Sequence, residues 1–330
     1  MTEHHDWPIW AWVAFNAYVF VMLVVSLLAH RGQTTVSLRS AARWSAFWIA
    51  GGLLVNVFVW WWAGPQAGLQ FFTGYLLEES LSVDNLFVIL TIFSYFGIPP
   101  ARQHRVLFWG ILGAIVFRGI FILAGTALVE RFHWILYLFG LFLVVTGARM
   151  GFHQDTKVDP DQNLFVRLFR KVVPVCTEIG TDRFFIRLYG RLCATPMLVA
   201  LLVIETTDVM FAVDSIPAVF SVTTDPFLVF SSNICAVLGL RSLYFLLQGV
   251  MGLFRYLRYG LAVILVFVGG KMLVTDLFHI PVAASLGVVA GVLAITVLAS
   301  LFGPKAEKDT ADEPTEVLRN APPPEGPDPS

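Results

Sequence analysis

Long apolar stretches, separated by short polar segments, follow one another along most of this chain of 330 residues. A membrane-spanning helix needs about 20 predominantly apolar residues, and the stretches that reach this length favour helices over barrel strands. We predict about nine spans, at residues 9–29, 44–63, 69–96, 106–128, 133–151, 196–222, 226–250, 256–278 and 280–302. The pattern therefore predicts an all-α, polytopic membrane protein.

Composition and charge agree with this prediction and add an orientation. Hydrophobic residues make up 57% of the chain and charged residues only 14%, against about 25% charged residues in an average soluble protein. The predicted loops on one side of the membrane contain 17 Lys and Arg residues, whereas Arg131 is alone on the other side. By the positive-inside rule the amino terminus is outside and the carboxyl terminus is cytoplasmic.

Two of the predicted spans contain acidic residues and resemble each other. Residues 75–90, YLLEESLSVDNLFVIL, align without a gap with residues 205–220, ETTDVMFAVDSIPAVF. In each half the next span contains one arginine and the third contains a Gly-x-cation-Met pattern. Three helices repeated in tandem must enter the membrane upside down the second time, so we predict two inverted three-helix repeats, an architecture that recurs in secondary transporters.

The repeat divides the chain into six parts. Residues 153–195 are predicted to form a cytoplasmic loop with an amphipathic helix at Asn163 to Lys171 and a β-hairpin around Gly180 and Gly190. Residues 303–330 are too polar to bury apolar surface and are predicted to be disordered. The other parts are two amino-terminal helices (1–66), the first repeat (67–152), the second, inverted repeat (196–279) and a ninth helix (280–302). The cysteines, which are Cys176, Cys193 and Cys235, indicate neither a disulfide framework nor a thiolate metal site.

Carboxylates inside the predicted spans are the main candidates for a functional site, since an ionised carboxylate near the bilayer centre costs about 2.5–3.5 kcal/mol. Oxygen donors without nearby His or Cys favour Mn²⁺, Mg²⁺ or Ca²⁺ over copper or zinc. The candidate metal ligands are Glu78, Asp84, Glu205, Asp208 and Asp214, with Asn85, Ser82 and Ser215 as additional ligands. The candidate charge partners are Arg118, Arg241, Lys271 and Arg149. A purely structural alternative is that the acids only pair with these cations and hold the helices together.

Helix geometry limits how these acids can act together. Asp214 follows Asp208 by six residues, which is about 9 Å along an ideal helix and about 120° around it. One straight helix therefore cannot direct both carboxylates at one ion. Pro217 is expected to bend or break the helix beside Asp214. Either this break brings the acids together, or the acids form two stations along a path.

The motifs EESLSVDNLF and IETTDVMFAVDSIPAVF, with the lead-in Ala194-Thr195-Pro196, resemble the TerC family of bacterial membrane proteins, which includes Alx-type manganese exporters. The resemblance covers roughly residues 10–302. It implies a multi-pass bacterial inner-membrane protein that exports Mn²⁺, with the five acids as metal ligands. Glu79 departs from the family, in which Lys often follows the motif glutamate, and leaves open whether Glu78 or Glu79 faces the core. The family is also named for tellurium resistance, although an acidic core does not favour an oxyanion.

Three functions follow from these observations as hypotheses. The first is a divalent-cation transporter that works by alternating access, with Mn²⁺ as the expected substrate and Ca²⁺ or Mg²⁺ as alternatives. The second is a membrane scaffold, associated with tellurium or metal stress resistance, in which the acids only pair. An intramembrane aspartyl protease is disfavoured because the Gly-x-Gly-Asp pattern is absent. We expect no enzymatic activity, no prosthetic group and no nucleic-acid partner; the expected partners are the metal ion and the bilayer.

Overall fold

The computed structural model describes residues 6–29, 37–152, 167–168, 175, 183–188, 191–250, 256–278 and 280–302. Eight helices and two short strands lie in these ranges. The helices are α1 (Ile9–Ala29), α2 (Leu38–Tyr95), α3 (Pro100–Arg131), α4 (Ile135–Phe152), α5 (Pro196–Phe220), α6 (Pro226–Val250), α7 (Leu257–Leu273) and α8 (Val282–Phe302). The strands are β1 (Phe185–Leu188) and β2 (Arg191–Ala194). The predicted tail, and all but two residues of the predicted amphipathic helix, lie outside the described residues.

Seven of the described helices are long and apolar enough to cross a membrane, by length and composition. The remaining one, α7, has 17 residues. The predicted all-α, polytopic membrane fold is therefore confirmed. The number of nine spans and the inverted repeat stay predictions.

Helix α2 joins two predicted spans that were expected to be separated by a short loop. Its 58 residues correspond to a length of about 87 Å, almost three times the thickness of the hydrocarbon core. The helix is interrupted at Gly64, where φ is 90° and ψ is 175°. Glycine adopts a positive φ without a steric penalty, and Pro65 begins the second half, where its missing N–H is not needed. The predicted connection between residues 63 and 69 is thus a one-residue interruption.

Helix α6 is enclosed by the other helices. In its most apolar window, 89% of the residues are buried, compared with 17–44% in the windows of the other six candidate spans. Its residues contribute to a hydrophobic core with the second half of α2, α3 and α5, in which Leu86, Val106, Val203 and Val237 are fully buried. Polar side chains on the inward faces of these four helices are therefore shielded from lipid as well as from water.

Helices α4 and α7 approach each other closely because small residues line their contact. A Cβ atom added to Gly269 would lie 2.6 Å from the carbonyl oxygen of Gly140, and one added to Gly147 would lie 2.9 Å from the carbonyl oxygen of Ala262. The predicted repeat makes Gly147 and Gly269 equivalent, with an offset of 122 positions, and the same offset relates Gly140 to Ala262. Exchanging the two helices thus maps one contact onto the other, as an inverted repeat requires.

The hairpin of β1 and β2 leads directly into α5. The strands are antiparallel, with Phe185 opposite Ala194, and they lie where the sequence predicts a hairpin around Gly190. The Thr195 hydroxyl donates to the carbonyl oxygen of Arg183 at 2.9 Å and so ties the hairpin to the start of α5. Cys193 is disulfide-bonded, which corrects the expectation that the cysteines do not form disulfides; spacing alone did not reveal this bond.

Helix α5 continues through Pro217 and ends at Phe220, so the expected break beside Asp214 is wrong. The physical reason is position: Pro217 lies in the last turn, where the ring removes one hydrogen bond but leaves the following backbone helical. The Ser221 N–H still bonds to the Pro217 carbonyl oxygen at 3.2 Å. The acids of α5 therefore remain on one continuous helix and point to different neighbours.

Candidate functional site, a buried ion-pair centre

Arg118 of α3 is fully buried and forms ion pairs with acids from two other helices. Its Nε and Nη2 atoms both donate to Asp208 of α5, at 3.2 Å to Oδ2 and 3.0 Å to Oδ1. Its Nη1 atom donates to Oε1 of Glu78 on α2. A planar guanidinium matches a carboxylate through two parallel bonds, which an ammonium group cannot do. Arg118 therefore links α2, α3 and α5 through charge-assisted hydrogen bonds.

Asn233 adds the enclosed helix α6 to this arrangement. It is fully buried, and its Nδ2 donates to Oε2 of Glu78 at 2.9 Å. Its Oδ1 accepts a hydrogen bond from Arg118 Nη1 at 3.3 Å. We call the four residues Arg118, Glu78, Asp208 and Asn233 the Arg118 centre. The sequence analysis missed Asn233, although an isolated amide in the apolar segment SSNICAVLGL is a signal of an intramembrane polar contact.

Glu205 lies one turn before Asp208 on α5 and packs against α3 at Gly113. Any Cβ atom at Gly113 would collide with the Glu205 carboxylate, so this glycine makes room for the acid. The Glu205 Oε2 atom is buried and has no hydrogen-bond partner in the part of the chain that the structure describes. A buried polar atom without a partner costs about 1–3 kcal/mol. Glu205 therefore has a carboxylate oxygen next to the Arg118 centre that is available as a metal ligand.

A small cavity of about 30 Å³ opens beside Asp208. Its polar lining comes from Asp208, Thr207 and Asn85. The apolar part of the wall is formed by Ile89, Leu107, Gly110, Ile111, Ala114, Ile204, Phe211 and Leu240. One water molecule needs about 10–15 Å³ of such volume, so the cavity has room for one or two water-sized particles beside Asp208, although most of its wall is apolar.

The other two predicted acids lie further along their helices. Asp214 is partly buried and accepts a hydrogen bond from Thr146 of α4. Asp84 is also partly buried and follows Glu78 by six residues on α2. Among the residues that the structure describes, no three His, Cys, Asp or Glu side chains lie close enough to hold one metal ion. The structure thus brings Glu78 and Asp208 together and places Asp214 at a separate position.

The additional predicted ligands are all buried. Asn85 lines the cavity with Asp208. The hydroxyl groups of Ser82 and Ser215 have no hydrogen-bond partner among the described residues. Their oxygen atoms are therefore available as metal ligands.

Of the four predicted charge partners, Arg118 pairs with acids and the other three have different surroundings. Arg241 donates to the backbone oxygen of Ser26 at 3.2 Å, and its Nη2 lies 3.2 Å from His104 Nδ1. Arg149 is exposed and Lys271 is buried. Within the described ranges, neither of these two cations lies within ion-pair distance of an acid.

Glu78 and Glu79 face different neighbours, which answers the question that the sequence left open. Successive residues of a helix point about 100° apart. Glu78 faces the Arg118 centre, whereas Glu79 accepts a hydrogen bond from the Tyr75 hydroxyl at 2.7 Å and lies towards Gly239 of α6. The motif glutamate at position 78 is therefore the one that belongs to the site.

Comparison with known proteins shows the family of this chain. Residues 63–308 match the model of the "Integral membrane protein TerC family". An "Uncharacterized membrane protein STKORF319" of Myxococcus xanthus is 47% identical over 92% of this chain and 96% of its own length. A "Putative membrane-bound redox modulator Alx" of Escherichia coli (strain K12) is 50% identical over 86% of this chain and 92% of its own length. No solved structure matches. The protein is a multi-pass integral membrane protein and belongs to the TerC family.

Proposed function

We propose that this protein transports divalent metal cations across the bacterial inner membrane and that it exports Mn²⁺ from the cytoplasm. The observation that carries the proposal is the position of Glu205. Its buried oxygen has no partner among the described residues, and it lies one turn from Asp208, which borders a small cavity. Intramembrane carboxylates that are not fully paired mark ion pathways.

The charges of the site support a divalent ion. Glu78 and Asp208 pair with Arg118, and Glu205 lies one turn from Asp208 on α5, so these three acids and one cation have a formal charge of −2 when all four side chains are ionised. One divalent cation brings this charge to zero. The available donors are carboxylate, amide and hydroxyl oxygens, which are the ligands of Mn²⁺, Mg²⁺ and Ca²⁺.

The arrangement of acids along α5 supports movement of the ion between two positions. Asp208 belongs to the Arg118 centre, while Asp214 contacts Thr146 of α4. The two residues are about 9 Å apart along a continuous helix. Two acidic positions at different depths support a path along which an ion moves, because intramembrane carboxylates mark ion pathways. Export is the direction that the family resemblance implies, with the amino terminus outside.

The test is the manganese content of cells. The protein is expressed at equal level, intact or with Asp84→Asn and Asp214→Asn together, in cells that lack other manganese exporters and are challenged with Mn²⁺. The intact protein is expected to lower cytoplasmic manganese severalfold, and the double variant to lose this effect because two carboxylates of the path become neutral. Asp276→Asn is the control, since Asp276 is an exposed aspartate that contacts Tyr137 outside the acidic stretches.

A scaffold makes the opposite prediction for the same cells. If the acids only hold helices together, the intact protein leaves cell manganese unchanged and the double variant behaves like it. That result, obtained with protein present in the membrane at equal amounts, would refute manganese export.

A further inference from the structure

We propose that Arg118 is a tethered counter-ion: it occupies the place of the metal when the site is empty, and it must leave Glu78 and Asp208 when a metal ion binds. This inference rests on the proposed function. It makes Arg118 the counter-ion of the buried carboxylates when no metal ion is bound. Arg118 then determines whether the empty site can change its orientation.

The hydrogen bonds of the site show that Arg118 and a metal ion compete. Both oxygens of Asp208 accept from Arg118. Oε1 of Glu78 accepts from Arg118 and Oε2 accepts from Asn233. All four carboxylate oxygens are therefore engaged by N–H donors. A divalent cation bound to the same oxygens would be in contact with the guanidinium, and this repulsion between like charges is strong at short distance away from water.

Glu205 is the acceptor to which Arg118 can move. Side chains of a helix lean towards its amino-terminal end, over the residues three and four positions earlier, so Arg118 leans along α3 towards Ala114, which is next to Gly113. Glu205 packs against Gly113 and has a buried oxygen without a partner among the described residues. A shift of the guanidinium towards Glu205 frees the Glu78 and Asp208 carboxylates for the metal. Glu205 is then paired with Arg118, and Glu78 and Asp208 are paired with the metal ion. The three acids, Arg118 and the divalent ion together have a formal charge of zero.

Arg118 acts as a counter-ion when the transporter holds no metal ion. After the metal leaves, buried carboxylates without a counter-ion would oppose the return of the empty site, since moving them through a medium of low polarity is costly. Arg118 provides one positive charge and so lowers the uncompensated negative charge that the empty site carries. Without it, the site can still exchange one metal ion for another but returns slowly when empty.

The experiment uses the full chain in liposomes and Mn²⁺ as the probe. Net Mn²⁺ flux and exchange of Mn²⁺ for Mn²⁺ are measured separately for the intact protein, Arg118→Gln, Arg118→Lys and Arg241→Gln. For Arg118→Gln we expect net flux to fall about tenfold, exchange to persist and the half-saturating Mn²⁺ concentration to fall about tenfold, because a competing positive charge is removed. Arg241→Gln is the matched control: it also removes a buried arginine, but one that contacts Ser26 and His104 and forms no ion pair with an acid in the described part of the chain.

Each outcome decides the proposal. If Arg118→Gln loses net flux and exchange in parallel, or keeps both, or shows an unchanged half-saturating Mn²⁺ concentration, Arg118 is a structural residue. The inference is then wrong, while Mn²⁺ transport stands.

If Arg118→Gln does not fold, Arg118→Lys decides, because it keeps the charge but loses the paired bonds to Asp208. We expect it to lower the half-saturating concentration severalfold, and no change would overturn the inference. If the intact protein moves no Mn²⁺ in either assay, the proposed function itself fails.

Discussion

The two intramembrane arginines show how strongly the effect of a residue depends on its partners. Arg118, in VFRGIF, and Arg241, in GLRSLY, occupy corresponding spans of the predicted repeat. Arg118 forms ion pairs with two carboxylates, whereas Arg241 is bound by a backbone oxygen and by a histidine. Both side chains are buried. The same residue type therefore belongs to a candidate ion site in one half and to a neutral polar contact in the other.

Asn233 offers a test of the Arg118 centre that does not depend on transport. Asn233→Ala removes the donor to Glu78 Oε2 and leaves that oxygen buried without a partner. We expect the free energy of unfolding to decrease by about 1–3 kcal/mol, measured as a lower midpoint of thermal unfolding in detergent. Asn56→Ala is the control, because the Asn56 Oδ1 atom is buried but has no hydrogen-bond partner among the described residues. Equal effects of the two substitutions would show that Asn233 does not support Glu78.

Contacts between whole helices depend on small residues at fixed positions. Helices α4 and α7 approach each other through glycines, and the two contacts of their backbones follow the offset of the predicted repeat. In a membrane, apolar side chains gain little from leaving lipid, so close van der Waals packing stabilises such a pair of helices. The glycines therefore matter more here than the hydrophobic residues around them.

Gly269 and its neighbour Gly270 provide a matched pair of substitutions. A Cβ at Gly269 would lie 2.6 Å from a backbone oxygen of α4, whereas a Cβ at Gly270 would meet no atom within 4 Å. Gly269→Ala is expected to destabilise the protein by about 1–3 kcal/mol, because a backbone contact cannot adjust without moving a helix. Gly270→Ala is expected to be neutral or slightly stabilising, since alanine favours a helix more than glycine does. Thermal unfolding of both variants measures the difference, and an unchanged midpoint for Gly269→Ala would contradict the close packing of α4 and α7.

The predicted orientation of the whole molecule rests on the distribution of its cations and can be tested on a single helix. Ala101 and Glu130 are exposed residues near the two ends of α3. The positive-inside rule places Ala101 in the cytoplasm and Glu130 outside. In intact cells, a membrane-impermeant maleimide is expected to label Glu130→Cys and to leave Ala101→Cys unlabelled until the membrane is opened. The unsubstituted chain gives the background, and the reverse labelling pattern would show that the orientation is inverted.

The class of the fold and the charged residues within the membrane could be predicted from the amino-acid sequence. Apolar stretches of spanning length dictate helices because every backbone polar group must be bonded within its own segment. The acids Glu78 and Asp208 could be selected because a carboxylate in such a stretch is too costly to be incidental. The family resemblance of the two acidic motifs was visible for the same reason.

Which of these charged side chains contact each other depends on how the helices pack. Asp208 and Asp214 lie on one helix, yet one faces Arg118 and the other faces Thr146, because six residues turn a helix by about 120° and α5 remains continuous through Pro217. Asn233 comes from a helix whose position depends on how α6 packs among its neighbours. Sequence patterns fix the face of a helix, but the partner on that face depends on the packing of distant helices, which no local pattern encodes.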